Sequence, residues 1–272
     1  MQGLMQQTPL TMVHIFERAE KYHSEKTITT ATATGIERTT YGEWAARTRQ
    51  LGGVLNKLGI SKNGRVATFA WNSARHLELY FAPPCTGRVT HTLNIRLFPE
   101  QLTYIVNHAE DEVIFIDRSL FALIAPLLPT FTTVKHLVIM DDGKGDVPKS
   151  VDGYQMHDYE ELLKGTPGVE FNITDENLAS SMCYTSGTTG NPKGVLYSHR
   201  STYLHTFGAM TVDSLGARES DTILPVVPMF HANAWGLAHA AVACGANLVM
   251  PGPDLSGKAV ANLIVDEKVT VA

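Results

Sequence analysis

Charge of one sign is what this chain most lacks. Its 22 Lys and Arg stand against 27 Asp and Glu, for a formal net charge of −5, and neither sign gathers into a run or stripe. The footprint of a nucleic-acid-binding or anionic-membrane surface is therefore missing. Cysteine is scarce. Cys85, Cys183 and Cys244 lie far apart, fit neither a disulfide framework nor a zinc spacing, and read as buried thiols in a reducing compartment. Long hydrophobic runs are absent too. The most apolar stretch, Leu120 to Phe131, is too short to span a bilayer and contains Pro126 and Pro129. Met1 to Leu10 has no positive segment ahead of an apolar run, so no secretory leader is read there. There is no internal repeat and no low-complexity tract. These absences predict a cytoplasmic protein with no nucleic-acid partner and no transmembrane segment.

What is present is an ordinary globular composition. Apolar residues make up 44% and charged residues 18% of 272 positions, enough for a sizeable core in one large or two ordinary domains. Thr40-Tyr41-Gly42-Glu43 is a capping box. Behind it Trp44, Leu51, Leu55 and Leu58 fall on one helical face, and Gly59 is placed to end the helix. Arg65 to Trp71 reads as a buried strand, with a helix from Ala74 towards Phe81. Pro99 suits the first position of a helix ending near Asn107. Val113 to Ile116 and His136 to Met140 read as further buried strands. Asp141 to Gly168 reads as loop with one short helix, Tyr159 to Leu163. Ser180 to Tyr184 is strand-like, followed by a loop and a helix from about His199. Ile223 to Val227 and Leu248 to Met250 read as strands around an Ala-rich helix. The order predicts an α/β fold of parallel sheets covered by helices.

The chemistry gathers in Thr185-Ser186-Gly187-Thr188-Thr189-Gly190-Asn191-Pro192-Lys193-Gly194. Three glycines allow close backbone approach to a ligand, and the hydroxyls and single ammonium are groups that bind polyphosphate. A strand leads in and a helix follows, as in phosphate sites of open α/β sheets. The string is not a Walker A loop, because Lys193 follows Pro192 and precedes Gly194. A bland alternative for a Gly/Ser/Thr-rich stretch is a surface turn.

The run Tyr184 to Val195 resembles the signature loop of the AMP-binding, adenylate-forming superfamily. Leu196-Tyr-Ser-His-Arg-Ser201 and Val227-Pro-Met-Phe-His-Ala-Asn-Ala-Trp-Gly236 are similar to bacterial medium- and long-chain fatty-acyl-CoA synthetases. So are Ala70-Trp-Asn72, Arg75-His-Leu-Glu78, His91-Thr-Leu-Asn94, Arg96-Leu97 and Tyr104 to Glu110. The resemblance implies a two-step reaction: a carboxylate attacks the α-phosphorus of ATP and expels pyrophosphate, then the thiol of coenzyme A attacks the acyl-adenylate. It implies ATP, Mg²⁺ and coenzyme A as cofactor and co-substrates, a fatty acid as the acid partner, and a possible homodimer. Carried onto this sequence, it has Thr185, Ser186, Gly187, Thr188, Thr189, Gly190 and Lys193 clasp the terminal phosphates, with Thr185 as a Mg²⁺ ligand. Lys193 and His231 take the catalytic roles, with His231 beside the adenylate and the acyl carboxyl group. Ala232 lies along the adenylate through its backbone, and Trp235 gates the acyl tunnel. His199, His205 and His239 are read as structural. Small residues from Gly236 to Gly245 suit either an alkyl chain or close helix packing.

The implied fold is the partial large N-terminal domain of these enzymes, truncated. Residues 1–178 are its first α/β subdomain, and 179–272 hold the phosphate loop and the start of the second, incomplete one. In the family the adenine-binding motif, acidic metal ligand, ribose-binding aspartate, hinge and lid lysine lie further along. The chain alone is thus expected not to complete thioester formation. Two alternatives stay open: a degenerate, non-catalytic binding or assembly module, and an adenylating ligase for another carboxylic acid. Some residues depart from the subgroup. Pro83 and Pro84 are expected to end their helix early. Arg88 enters a buried strand, where an unpaired charge is costly, and Ile95 replaces a common proline.

Overall fold

A computed structural model of the chain describes residue 1, residues 3–185 and residues 191–272. The order begins α1 (Met12–Tyr22), β1 (Thr27–Thr32), β2 (Gly35–Thr40), α2 (Tyr41–Lys57), β3 (Arg65–Phe69), α3 (Ala74–Cys85), β4 (Val89–Thr92), α4 (Pro99–Ala109) and β5 (Asp111–Asp117). It continues with α5 (Phe121–Ile124), β6 (His136–Met140), β7 (Gln155–Asp158), α6 (Tyr159–Leu163), β8 (Ala179–Thr185), β9 (Lys193–Ser198) and α7 (His199–Met210). It closes with β10 (Thr222–Ile223), α8 (Leu237–Cys244), β11 (Asn247–Met250) and α9 (Gly257–Asp266).

Two sheets result. A seven-stranded sheet runs β7-β6-β5-β3-β4-β8-β9, and a four-stranded sheet runs β10-β11-β1-β2. Pairing is parallel except in the hairpins β1–β2 and β8–β9. The α/β fold of helix-covered sheets therefore matches the sequence reading, with two antiparallel edges added. Both sheets draw strands from residues 1–178 and from 179–272.

Local sequence accounts for the elements that frame the site. Thr40 Oγ1 accepts from Glu43 N at 3.2 Å, and the Glu43 carboxylate accepts from Thr40 N at 2.8 Å, closing the capping box that starts α2. Gly59, at φ +70°, follows its end. Trp44 packs between Phe16 and Phe81, with ring centroids 5.2 and 5.3 Å away. Burying such rings is the main stabilising term here, at about 25 cal/mol per Å² of apolar surface.

The two prolines do not end α3 early; the helix runs through Pro83 and Pro84 to Cys85. Pro83 has no N–H for the carbonyl of Leu79, and the hydroxyl of Thr90 donates to that carbonyl instead, at 2.7 Å. Arg88 is buried without a carboxylate. Its guanidinium donates to the Ile60 carbonyl at 2.8 and 3.0 Å and to Asn56 Oδ1 at 2.9 Å, and burial holds its pKa below the usual arginine value. The cost of the charge is offset by oxygen dipoles. All three cysteines are free and buried.

Buried groups predict a pH dependence. Burial pushes His76 and His199 down to about 4 and His239 to about 3. Burial also pushes Asp117 up to about 8, with the carboxylate of Asp142 adding to the rise. Below about pH 6.5 the unfolded chain protonates the histidines while the folded chain keeps them neutral, so stability falls as pH falls towards 4. Asp117 acts oppositely: protonated when folded and ionised when unfolded, it removes stability as pH rises towards 8. His23, His136 and His157 are lowered by burial too, while Glu78 and Asp111 are raised by it, so six histidines stand against three carboxyls and urea midpoints are expected to fall between pH 6 and 4.5. Asp117→Asn is expected to steepen that fall; a shallower fall would contradict a protonated Asp117.

Candidate nucleotide and acid site

β3, β4 and β8 are parallel neighbours, so their carboxyl ends open at one edge, where open α/β sheets bind ligands. β8 is buried along its length until Thr185, which is exposed at that edge. Ser186, Gly187, Thr188, Thr189 and Gly190 lie outside the described residues. The chain returns as a strand, not directly as a helix: Lys193 opens β9 and sits opposite Thr185 in the antiparallel register. The β-forming run Val195-Leu196-Tyr197 was the signal for this strand. Lys193 is exposed, so its ammonium faces solvent beside the hydroxyl end of β8. Tyr184 supports this edge from beneath. Its hydroxyl pairs with His108 Nδ1 at 2.6 Å, and burial pushes its pKa up to about 12.

A second segment meets the same edge. The expected strand Ile223 to Val227 is only Thr222–Ile223; beyond it the chain is held by side chains. Asn72, which follows the carboxyl end of β3 and is 4% exposed, is the main clasp. Its Nδ2 donates to the carbonyls of Pro225 at 2.7 Å and Val227 at 3.0 Å, and its Oδ1 accepts from Met229 N at 2.7 Å. The Tyr80 hydroxyl donates to the Met229 carbonyl. Phe230 packs edge-on against Trp71, 6.5 Å between centroids. This anchoring delivers His231, whose side chain is exposed, to the strand edge.

From Ala232 to Trp235 the backbone is left-handed, with φ of 45°, 49°, 49° and 54°. Such geometry costs about 1–2 kcal/mol per residue, so outside contacts must hold it. Asn233 is one: its Nδ2 donates to Ser181 Oγ at 3.2 Å, and Cys183 Sγ donates to its Oδ1 at 3.3 Å. The turn is thus tied to β8, the strand that ends at Thr185. Trp235 stands out at 62% exposure.

Beside the turn lies a cavity of about 450 Å³, within the usual range for small-molecule sites. Its wall includes Tyr197, Thr202, His205, Ala232, Trp235 and His239. His205 and His239, read from sequence as structural, are brought into this wall. No local motif marked them. His239 stacks near Tyr80 at 5.2 Å, and its low pKa keeps it neutral. His199 is structural, accepting from Met12 N at 3.2 Å. The small residues of α8 serve close packing: the whole helix is buried, against α1 and α7. Only Gly236 and His239, at its start, reach the cavity.

An exposed threonine and lysine pair at the open edge of a parallel sheet and a cavity tied to the same strand thus lie on an α/β fold of the kind found in the N-terminal domain of adenylate-forming enzymes. The chain belongs to the AMP-binding enzyme family, which it matches over residues 15–272. It is 47% identical over its whole length to the 3-methylmercaptopropionyl-CoA ligase of Ruegeria lacuscaerulensis, covering 50% of that protein. It is 43% identical, again over its whole length, to the medium-chain-fatty-acid–CoA ligase of Ectopseudomonas oleovorans, covering 50% of that protein. In structure it is similar to a long-chain-fatty-acid-CoA ligase from Archaeoglobus fulgidus, with a TM-score of 0.81 at 21% identity, over 98% of this chain and 52% of that one. The chain spans about half the length of the curated relatives it matches.

Among the described residues no group of three or more His, Cys, Asp or Glu could hold a metal ion. They build no magnesium cage, since Thr185 offers a single neutral oxygen where Mg²⁺ takes six. Among the described residues no helix is long and apolar enough to cross a membrane.

Proposed function

We propose that these residues form the ATP and acid half of a cytoplasmic acid–thiol ligase. In the whole protein, a medium- or long-chain fatty acid is activated to its acyl-adenylate and passed to coenzyme A. The observation that carries this reading is the tie between the cavity and β8, the strand that leads into the signature run: Asn233, in the cavity wall, is hydrogen-bonded to Ser181 and Cys183.

In this reading Lys193 and the hydroxyls from Thr185 to Thr189 bind the polyphosphate and screen its charge from the incoming carboxylate. Thr185 Oγ1 would be one ligand of a divalent cation bound with the nucleotide, which would supply further charge neutralisation. His231 donates a hydrogen bond to the carboxyl oxygen as charge redistributes. The backbone of Ala232 lies along the adenylate. Trp235 covers the acyl chain, where an indole offers a rigid apolar plate with one donor. Pyrophosphate leaves, and coenzyme A reaches the adenylate afterwards.

A second reading is favoured by the cavity wall. Among the described residues its side chains are imidazole, indole, phenol, hydroxyl and the Asn233 carboxamide, with Ala232 as the aliphatic member. Sulfur contacts aromatic edges favourably, so a short thioether acid such as 3-methylmercaptopropionate also suits it. Thioester formation by the whole protein, followed with saturated acids of increasing length, 3-methylmercaptopropionate and benzoate, separates the readings. The fatty-acid reading expects the highest kcat/KM with a medium or long chain, and it fails if the thioether acid or benzoate is preferred. Trp235→Ala is expected to raise KM for the acid about tenfold, as for one lost apolar contact surface, with KM for ATP unchanged. The reverse pattern would remove Trp235 from the acid site.

A further inference from the structure

We propose that His205 is a positioning residue: its imidazole latches the left-handed turn that carries Trp235 and so sets where the indole stands over the cavity. His205 Nε2 lies 3.0 Å from the Trp235 carbonyl oxygen. A carbonyl can only accept, so Nε2 carries the proton and the ring is held as a donor. The ring also fills the space in which a side chain at position 236 would lie. A Cβ on Gly236 would sit 2.5 Å from His205 Cδ2 and 2.7 Å from Nε2, and Gly236 is itself at φ +75°. The latch and the glycine therefore fit each other.

The turn needs such a latch. Four consecutive residues with side chains, Ala232 to Trp235, take positive φ. Among the described residues their side-chain clasps are Asn233, in the middle, and His205, at the end. The indole is 62% exposed, so packing does not fix it and the backbone beneath must. His205 stands on α7, which continues directly from β9, the strand that begins at Lys193. The latch thus joins the acid side of the site to the element leading from the phosphate side. Its role in catalysis rests on the proposed acid-binding function, whereas the latch itself rests on geometry alone.

The test separates the two. In this chain, Trp235 fluorescence is isolated by subtracting the spectrum of Trp235→Phe, and its quenching by acrylamide is measured. His205→Leu is expected to shift the Trp235 emission and raise its quenching. His205→Gln, whose amide nitrogen reaches the same carbonyl, is expected to restore both. Circular dichroism should stay unchanged in both variants and the urea midpoint should fall only slightly in His205→Leu, because the bond lost is exposed and the Asn233 clasp remains. In the whole protein His205→Leu is expected to raise KM for the acid about tenfold, with KM for ATP unaltered. Unchanged Trp235 fluorescence in His205→Leu, or no rescue by His205→Gln, overturns the latch. Altered and rescued fluorescence without any effect on the acid upholds the latch and overturns the acid-binding reading of the cavity.

Discussion

Lys193→Ala is expected to lower kcat/KM for ATP in the whole protein by about 10²–10³-fold if Lys193 binds the polyphosphate as proposed, the usual loss when one preorganised charge-stabilising donor is removed. The lysine opens β9 opposite Thr185, so the strand pairing fixes where its stem leaves the backbone. Its side chain is exposed, and among the described residues truncation leaves no buried partner unpaired. The urea midpoint of this chain is therefore expected to stay as it is, which distinguishes loss of ATP use from loss of fold. KM for the acid is expected to change little, since Lys193 is not in the cavity wall. Lys193→Arg restores only part of the activity, because a planar fork and a compact ammonium do not address the same oxygens. A Lys193→Ala protein with near-normal ATP kinetics would remove the lysine from the phosphate site.

The second large effect is on the fold around His231. Asn72→Asp changes one group without changing shape, yet it turns two donated hydrogen bonds into repulsions. The Asn72 amide nitrogen lies 2.7 Å from the Pro225 carbonyl and 3.0 Å from that of Val227. An ionised carboxylate there would face two carbonyl oxygens in a buried site. We expect a loss of about 3–5 kcal/mol at neutral pH, the range for an uncompensated buried charge. The introduced carboxyl should have a raised pKa, since protonation restores one donor. Part of the lost stability is therefore expected to return as the pH falls towards 5. Urea denaturation at pH 7.5 and 5.5 checks both parts. Asn72→Asp with wild-type stability at both values would show that the clasp carries no weight.

The position of the candidate site was legible where the signal is local: Thr185 and Lys193 came from one contiguous string and His231 and Trp235 from another, and the described parts of both meet at β8. Elements governed by short-range rules were legible for the same reason, as with the capping box at Thr40 and Pro99 at the first turn of α4.

What escaped depended on partners far along the chain. Whether Pro83 and Pro84 end α3 turns on Thr90 supplying the missing donor, and whether Arg88 is affordable turns on the Ile60 carbonyl and Asn56. His205 and His239 join the cavity only because α7 and α8 pack together. The β9 strand was missed because the stretch between Tyr184 and His199 was read as loop. Asn72 was visible as part of a string, but its role lies in carbonyls more than 150 positions away.

The central claim is that this fold activates an aliphatic carboxylic acid on ATP. It is tested most directly by acid-dependent exchange of radiolabelled pyrophosphate into ATP, catalysed by the whole protein without coenzyme A. The account predicts exchange with octanoate or 3-methylmercaptopropionate, lost in Lys193→Ala and displaced to higher acid concentrations in Trp235→Ala. Exchange supported only by benzoate, or no acid-dependent exchange at all, would contradict it.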